Sequence, residues 1–181
     1  HKYGLYLFLD GARLGYGLAA PDNDLTLPEI AALCDVFYIG GTKVGALFGE
    51  AVVIKNPELA QDFRYLIKQN GGMLAKGRLL GLQFDALFTD GLYQEISAHA
   101  IAMAEKLREA FTAKGYTYLA PNRTNQIFVI VPDAHLAKIS EQFEYSYDQR
   151  IDATHSCVRF CTSWATKEEN VDALIRCVEK L

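Results

Sequence analysis

The chain has 181 residues, half of them hydrophobic, so it can bury a core as one domain or as two small ones. Its formal net charge is −4 at pH 7 and it carries no basic stripe, which argues against a nucleic-acid-binding protein. No apolar run has the length of a membrane span and no signal peptide opens the chain, so we expect neither a membrane protein nor a secreted one.

The first part of the chain alternates apolar strands with helical segments, which is typical of an α/β fold. We predict a strand buried on both faces at Leu5–Leu9 and further strands at Val36–Ile39 and Ala51–Ile54. Thr26-Leu-Pro-Glu29 has the pattern of a capping box and predicts a short helix that ends at Leu33. Ligands of open α/β sheets bind outside the carboxyl ends of parallel strands, so the residues that follow these strands are candidates for a site.

Helical segments follow Pro57 and lead to a smaller α+β region. Two of them, running to about Lys68 and from Met73 to Phe88, are separated by Asn70-Gly-Gly72. A longer helix begins near Asp90 and ends at Lys114-Gly115. We therefore divide the chain into residues 1–90, a connecting helix at 91–115 and a small C-terminal α+β domain at 116–181.

The small domain is predicted to contain two strands and two helices. The strands are Gln126–Val131 and Cys157–Cys161, and a short helix at Asp133–Phe143 lies between them. Thr166-Lys-Glu-Glu169 predicts a capping box that opens a last helix.

The residues that follow the first two strands point to chemistry. Lys43 lies among glycines in Tyr38-Ile-Gly-Gly-Thr-Lys-Val-Gly45, and Asp10 opens Asp10-Gly-Ala-Arg13. An amine and a carboxylate at one sheet edge suggest a site that holds a carbonyl cofactor through a Schiff base. The carboxylate would pair with a ring nitrogen. A surface lysine and a turn-capping aspartate are the alternatives.

Arg159 is the second candidate for a charged ligand contact. With a strand period of two it shares a face with Cys157 and Cys161, so its guanidinium could bind a carboxylate through two hydrogen bonds. An arginine exposed on an edge strand is the equal alternative. We predict no metal site, because an arginine between the two cysteines would repel a cation. The absence of CxxC spacing indicates buried free thiols in a cytoplasmic protein.

Several motifs together resemble one known family. They are Leu7-Phe-Leu-Asp10-Gly-Ala-Arg13, Tyr38-Ile-Gly-Gly-Thr-Lys43, Lys68-Gln-Asn-Gly-Gly-Met-Leu-Ala-Lys-Gly-Arg78, Val158-Arg-Phe160 and Thr162-Ser-Trp-Ala-Thr166. In this order they resemble the low-specificity threonine aldolases, which depend on pyridoxal 5'-phosphate (PLP) and have the aspartate aminotransferase fold (fold type I). The resemblance implies the second half of the large PLP-binding domain, a mostly parallel sheet with helices, followed by a small α+β domain.

The resemblance also implies roles for individual residues. Lys43 would form a Schiff base with PLP, Asp10 would bind the ring nitrogen and Arg13 would lie near the phenolic oxygen. Thr42 would help to bind the phosphate, and Arg159 would hold the α-carboxylate of the substrate. The implied reaction is retro-aldol cleavage of a β-hydroxy-α-amino acid, such as threonine or allo-threonine, to glycine and an aldehyde.

Family members carry an N-terminal half that this chain lacks, so we expect the chain to be the later part of a longer protein. The resemblance implies a homo-oligomer, either a dimer or a tetramer. Two other functions stay open: a PLP-dependent β-eliminating lyase of another amino acid, and a folded non-catalytic fragment that binds no cofactor.

Overall fold

The computed structural model describes residues 2–181, and the chain divides into two compact units. Unit 1 comprises the residues up to Leu18 together with Asn23–Ile96, and unit 2 comprises Ala19–Asp22 with Ser97–Leu181. The helix predicted as a connector contributes residues to both units. The three-part division drawn from the sequence stays a prediction.

Unit 1 contains a three-stranded sheet with helices before and after its second strand. Its first elements are β1 (Phe8–Leu9), α1 (Leu14–Ala19), α2 (Leu27–Leu33), β2 (Val36–Gly40) and β3 (Glu50–Ile54). The order of the strands in the sheet is β1-β2-β3. The predicted second and third strands, β2 and β3, are therefore confirmed, as is the helix predicted from the capping box, α2. Glu29 accepts hydrogen bonds from the backbone N–H and the hydroxyl of Thr26, both at 2.7 Å, so the capping box is present.

The prediction of a mostly parallel sheet holds for one strand pair and not for the other. β1 and β2 are parallel, with Leu9 opposite Phe37, whereas β2 and β3 are antiparallel. Residues 41–49 connect β2 to β3, and a parallel crossover needs about a dozen residues or more. The chain therefore turns back after β2.

The first strand is shorter and more exposed than the sequence predicts. Only Phe8–Leu9 is a strand, and the side chains of Leu5, Tyr6, Leu7 and Phe8 are 50–68% exposed. A continuous apolar run indicates a strand made to be covered on both faces. β1 lies at the edge of the sheet and pairs with β2 alone, and no other layer within residues 2–181 covers it.

Helices follow the sheet of unit 1 in shorter pieces than predicted. A 3-10 turn at Pro57–Ala60 is separated from α3 (Phe63–Gln69) by Asp62, whose φ is +57°. Gly71, with φ of +77°, ends this stretch. α4 covers Arg78–Phe88, so the predicted start at Met73 is wrong: residues 73–74 have no regular structure, and residues 75–77, which end in Gly77, form a turn before the helix.

Unit 2 is an antiparallel sheet packed with helices. Its elements are the part of α5 (Leu92–Ala113) from Ser97 onward, β4 (Thr117–Tyr118), β5 (Gln126–Pro132), α6 (Asp133–Ile139), β6 (Ser146–Arg150), β7 (His155–Cys161) and α7 (Glu168–Glu179). The order of the strands is β4-β5-β7-β6, and every pair is antiparallel. The predicted α+β character of this region is confirmed, whereas β4 and β6 have no counterpart in the prediction.

The core of unit 2 lies between its sheet and its helices. On β5, Ile127, Val129 and Val131 alternate with partly exposed residues and are fully buried. The rings of Phe111 and Phe160 lie 5.4 Å apart, joining α5 to β7. These contacts place hydrophobic side chains from helix and sheet in one cluster. No helix within residues 2–181 combines the length and apolarity needed to cross a membrane.

The last helix does not begin with the predicted capping box. Its N-cap is Lys167 and no side chain caps it. The hydroxyl of Thr166 instead accepts a hydrogen bond from the N–H of Ser163 at 2.8 Å. The side chains of Val171 and Leu174 on this helix are buried.

Candidate active site

Asp10 and Tyr38 meet where β1 and β2 end. Since Leu9 lies opposite Phe37, Asp10, the residue after β1, comes beside Tyr38, and the Tyr38 hydroxyl donates a hydrogen bond to Oδ1 of Asp10. The N–H of Ala12 donates to the same oxygen at 3.1 Å. These two hydrogen bonds, and then the charges of Lys43 and Arg13, lower the pKa of Asp10. The carboxylate is therefore ionised at neutral pH.

Three of the residues predicted for the site, Asp10, Arg13 and Lys43, belong to unit 1, and the last two act on the first through their charges. The side chains of Lys43 and Arg13 lie close enough to Asp10 for their charges to favour its ionised form. Thr42 precedes Lys43 in the same turn, and both side chains are exposed. Arg159 belongs to unit 2.

Two glycines allow the backbones after β1 and β2 to touch. The N–H of Gly40 donates to the carbonyl oxygen of Gly11 at 2.9 Å. A Cβ on Gly11 would lie 2.9 Å from the carbonyl carbon of Tyr38, and one on Gly40 would lie 2.6 Å from that of Ala12. A side chain at either position would collide with the neighbouring backbone, so the close approach of the segment after β1 to the end of β2 requires glycine at both positions.

The backbone of Lys43 is anchored while its side chain stays exposed. The carbonyl of Gly41 accepts hydrogen bonds from the N–H groups of Val44 and Ala46, at 2.9 and 3.0 Å. Val44 is fully buried, and the hydroxyl of Tyr16 donates to the carbonyl of Lys43. The amine is therefore carried on a fixed turn and remains open to a ligand.

Two side chains that the sequence did not indicate hold this region in place. The hydroxyl of Tyr93 accepts from the N–H of Gly15 at 3.1 Å and donates to the carbonyl of Gly40 at 3.0 Å. Burial raises the pKa of Tyr93 to about 12. Gln83 of α4 accepts from the N–H of Leu47 at 2.6 Å. The end of β2 is thus tied to α5, and the loop between β2 and β3 is tied to α4.

We expect Tyr93→Phe to lower the free energy of unfolding of the chain by about 1–3 kcal/mol, because a buried N–H and a carbonyl at Gly15 and Gly40 lose their partner. Urea denaturation measures the effect. Tyr6→Phe is the control, since the hydroxyl of Tyr6 bonds to no residue within 2–181 and its loss should leave stability unchanged. Equal stability of the two variants would contradict this role.

In unit 2, Arg159 borders a cavity of about 340 Å³ whose wall also includes Ser146, Thr166 and Asn170. Its Nη1 donates to Oε1 of Gln126 at 3.2 Å. Its Nε is buried and has no hydrogen-bond partner among the residues described. A guanidinium with an unpaired buried N–H suits an anionic ligand.

The predicted faces of β7 are only partly correct. Val158 and Phe160, on the face opposite Arg159, are buried; beyond the strand, Thr162 is also buried, whereas Trp164 is exposed. Cys157 is fully buried, because both faces of this inner strand are covered near its middle. All four cysteines are free; Cys34 is also buried, whereas Cys161 is exposed at the end of the strand and contradicts the prediction of buried thiols.

The fold is shared with enzymes of known structure. A threonine aldolase from Leishmania major is 42% identical in sequence and superimposes with a TM-score of 0.96, covering 99% of this chain and 52% of that one. A serine palmitoyltransferase from Sphingomonas wittichii, 17% identical, has a TM-score of 0.68 over 99% of this chain and 47% of its own. The chain therefore has the α/β fold of the PLP-dependent fold type I enzymes, in part, and the predicted fold class is confirmed.

Sequence comparison finds two curated relatives. A low specificity L-threonine aldolase from Pseudomonas sp. is 31% identical over 177 residues, which are 96% of this chain and 49% of that protein. Another from Pseudomonas aeruginosa is 29% identical over 176 residues, 97% of this chain and 50% of that protein. The chain is homologous to the low-specificity L-threonine aldolases, matches their C-terminal portion and spans about half of their length. No protein-family model matches it.

Proposed function

We propose that the chain carries the lysine-bearing part of a PLP-dependent carbon–carbon lyase, which cleaves a β-hydroxy-α-amino acid such as threonine or allo-threonine to glycine and an aldehyde. One observation carries the proposal: the charges of Arg13 and Lys43 act on the Asp10 carboxylate where β1 and β2 end, in a chain homologous to proteins named threonine aldolase. A dimer or tetramer and a cytoplasmic location belong to the same proposal.

The residues at the ends of β1 and β2 fit this cofactor in their chemistry. Lys43 offers an exposed amine on an anchored turn, as a carbonyl ligand requires. Asp10 offers an ionised carboxylate whose Oδ2 accepts no hydrogen bond from the residues described, as a protonated ring nitrogen requires. Arg13 adds a positive charge beside it, which suits a phenolate. Thr42 adds a hydroxyl for the phosphate.

PLP, when bound, supplies a protonated ring that accepts the electron pair released at the substrate Cα. Asp10 keeps the proton on the ring nitrogen, because hydrogen bonds from Tyr38 and Ala12 lower the pKa of its carboxyl and make it the weaker base. Its negative charge would also stabilise the protonated ring nitrogen. Arg159 binds the substrate α-carboxylate through the planar fork of its guanidinium. This contact orients the amino acid before the carbon–carbon bond breaks.

Product analysis tests the reaction. The chain is incubated with PLP and either L-threonine or L-allo-threonine, and we expect glycine and acetaldehyde in equal amounts. Lys55→Ala is the matched control for Lys43→Ala, since Lys55 is an exposed lysine that follows β3 in the same unit. The control should keep the activity that Lys43→Ala loses. Release of ammonia and a keto acid instead would identify a β-eliminating lyase and overturn the proposal.

Arg159→Ala is expected to weaken amino-acid binding about tenfold to a hundredfold, because a charge-assisted pair of hydrogen bonds to the carboxylate is lost. The affinity for PLP should not change. Isothermal titration with glycine, in the presence of saturating PLP, measures the effect. Arg176→Ala removes an exposed arginine from α7 of the same unit and serves as the control. Unchanged glycine affinity in Arg159→Ala would show that Arg159 does not hold the carboxylate.

A further inference from the structure

The Asp10 carboxylate is held by a side chain from the neighbouring strand. One of its oxygens, Oδ1, receives both the Tyr38 hydroxyl and the N–H of Ala12. The other, Oδ2, receives no hydrogen bond from any residue between 2 and 181. The exposed carboxylate is therefore oriented through one oxygen and left open at the other.

The two donors have different effects. Ala12 is two residues from Asp10, so its N–H ties the carboxylate to its own turn, a common arrangement for aspartate in loops. Tyr38 is 28 residues away and lies on β2. Its hydroxyl therefore ties the carboxylate to the sheet. Of the two donors, only Tyr38 relates the Asp10 side chain to the turn that carries Lys43, because that turn also follows β2.

Tyr38 is itself held in place. It pairs with Val52 across β2 and β3, and its ring lies 6.0 Å from that of Phe8, centre to centre. The hydrogen bond to Asp10, together with burial and the nearby charges of Asp10 and Glu50, raises the pKa of Tyr38 to about 12. The hydroxyl thus stays protonated at neutral pH and acts as a donor rather than as a base.

Resting on the proposed function, we propose that Tyr38 is the positioning residue of the cofactor site: it orients Asp10 through Oδ1 so that Oδ2 meets the protonated ring nitrogen of PLP. Without the hydroxyl, Asp10 keeps its charge at neutral pH, since the ordinary carboxyl pKa lies far below 7. It loses its link to the sheet, and the exposed side chain spreads over several rotamers. The defect in Tyr38→Phe is one of orientation, not of charge.

The test combines a titration without cofactor and a binding measurement with it. The carboxyl carbon of Asp10 is followed by NMR against pH in the full chain, with Asp10→Asn used to assign the signal. In Tyr38→Phe the midpoint should move to higher pH, because the hydrogen bond that most lowers the pKa of Asp10 is absent. The dissociation constant for PLP should rise about three- to tenfold, with Lys43 still the residue labelled on reduction by borohydride.

Tyr147→Phe is the matched control, since Tyr147 is an exposed tyrosine in unit 2 whose hydroxyl bonds to none of the described residues. Tyr147→Phe should change neither the titration midpoint of Asp10 nor the dissociation constant for PLP. A second measurement does not depend on the folding of Tyr38→Phe: in Asp10→Asn the ultraviolet titration of Tyr38 should move from about 12 toward the ordinary tyrosine value of about 10.

Each outcome has a defined meaning. An unchanged Asp10 midpoint in Tyr38→Phe, or an unchanged Tyr38 titration in Asp10→Asn, would overturn the inference and leave the proposed function intact if the parent chain binds PLP at Lys43. A shifted midpoint with unchanged PLP affinity would overturn the positioning role. Failure of the parent chain to bind PLP at Lys43 would overturn the proposed function and, with it, the role of Tyr38 toward the cofactor, even with a shifted midpoint.

Discussion

Lys43→Ala is expected to abolish the attachment of PLP that borohydride makes permanent and to reduce lyase activity to background. Lys43 is the lysine whose charge lowers the pKa of Asp10. A carbonyl cofactor bound beside Asp10 needs an amine to form a Schiff base. The fold should not change, because the side chain is exposed and Tyr16 bonds to the backbone carbonyl of residue 43. We expect the free energy of unfolding to stay within about 0.5 kcal/mol of the parent chain.

Mass spectrometry after reduction measures this result, and circular dichroism checks the fold. Lys55→Ala should bind and retain PLP as the parent chain does, because Lys55 follows β3 and not β2. Equal labelling of Lys43→Ala and Lys55→Ala would show that PLP reacts with surface amines in general, and it would remove the basis for assigning Lys43.

Gly11→Ala is expected to lower the free energy of unfolding of the chain by about 3–5 kcal/mol, the range of severe overpacking. The added Cβ would lie 2.9 Å from the carbonyl carbon of Tyr38 and closer still to its oxygen. The backbone cannot retreat freely, since the Gly11 carbonyl accepts the N–H of Gly40 at 2.9 Å. Because this contact joins the two turns of the site, PLP labelling of Lys43 should fall as well.

Gly17→Ala provides the control for this substitution. Gly17 lies in α1, and an added Cβ would meet no atom within 4 Å. Alanine is the better helix former by up to about 1 kcal/mol, so this variant should be as stable as the parent chain or more stable. Urea denaturation compares the two. If Gly11→Ala proved as stable as Gly17→Ala, the close contact between the turns would be wrong.

The fold is predictable where local pattern and tertiary environment agree. α2 follows from its capping box, and α5 ends before Gly115, whose φ is +81°. β6 was missed because every residue of Ser146–Arg150 is exposed and the segment has no apolar alternation; its pairing with β7 makes it a strand. The segment around β1 is the opposite of β6: its apolar sequence predicts a long strand buried on both faces, but in the described residues these side chains are exposed.

Some residues of the site can likewise be predicted from the sequence, and others cannot. Asp10 and Lys43 are visible in the sequence because each follows an apolar strand and lies next to glycine. Tyr38, Gln83 and Tyr93 are not, because their hydrogen-bond partners are 28, 36 and 53 residues away. The parallel register of β1 and β2 is the one signal that could have indicated Tyr38, since it brings that residue beside Asp10.

The most direct test of the central claim is to locate the cofactor on the parent chain. The chain is mixed with one equivalent of PLP, reduced with borohydride and digested, and the modified peptide is identified by mass spectrometry. The proposal predicts a pyridoxyl group on Lys43 and on no other lysine. A label spread over exposed lysines such as Lys55, Lys68 and Lys76, or no label at all, would contradict it.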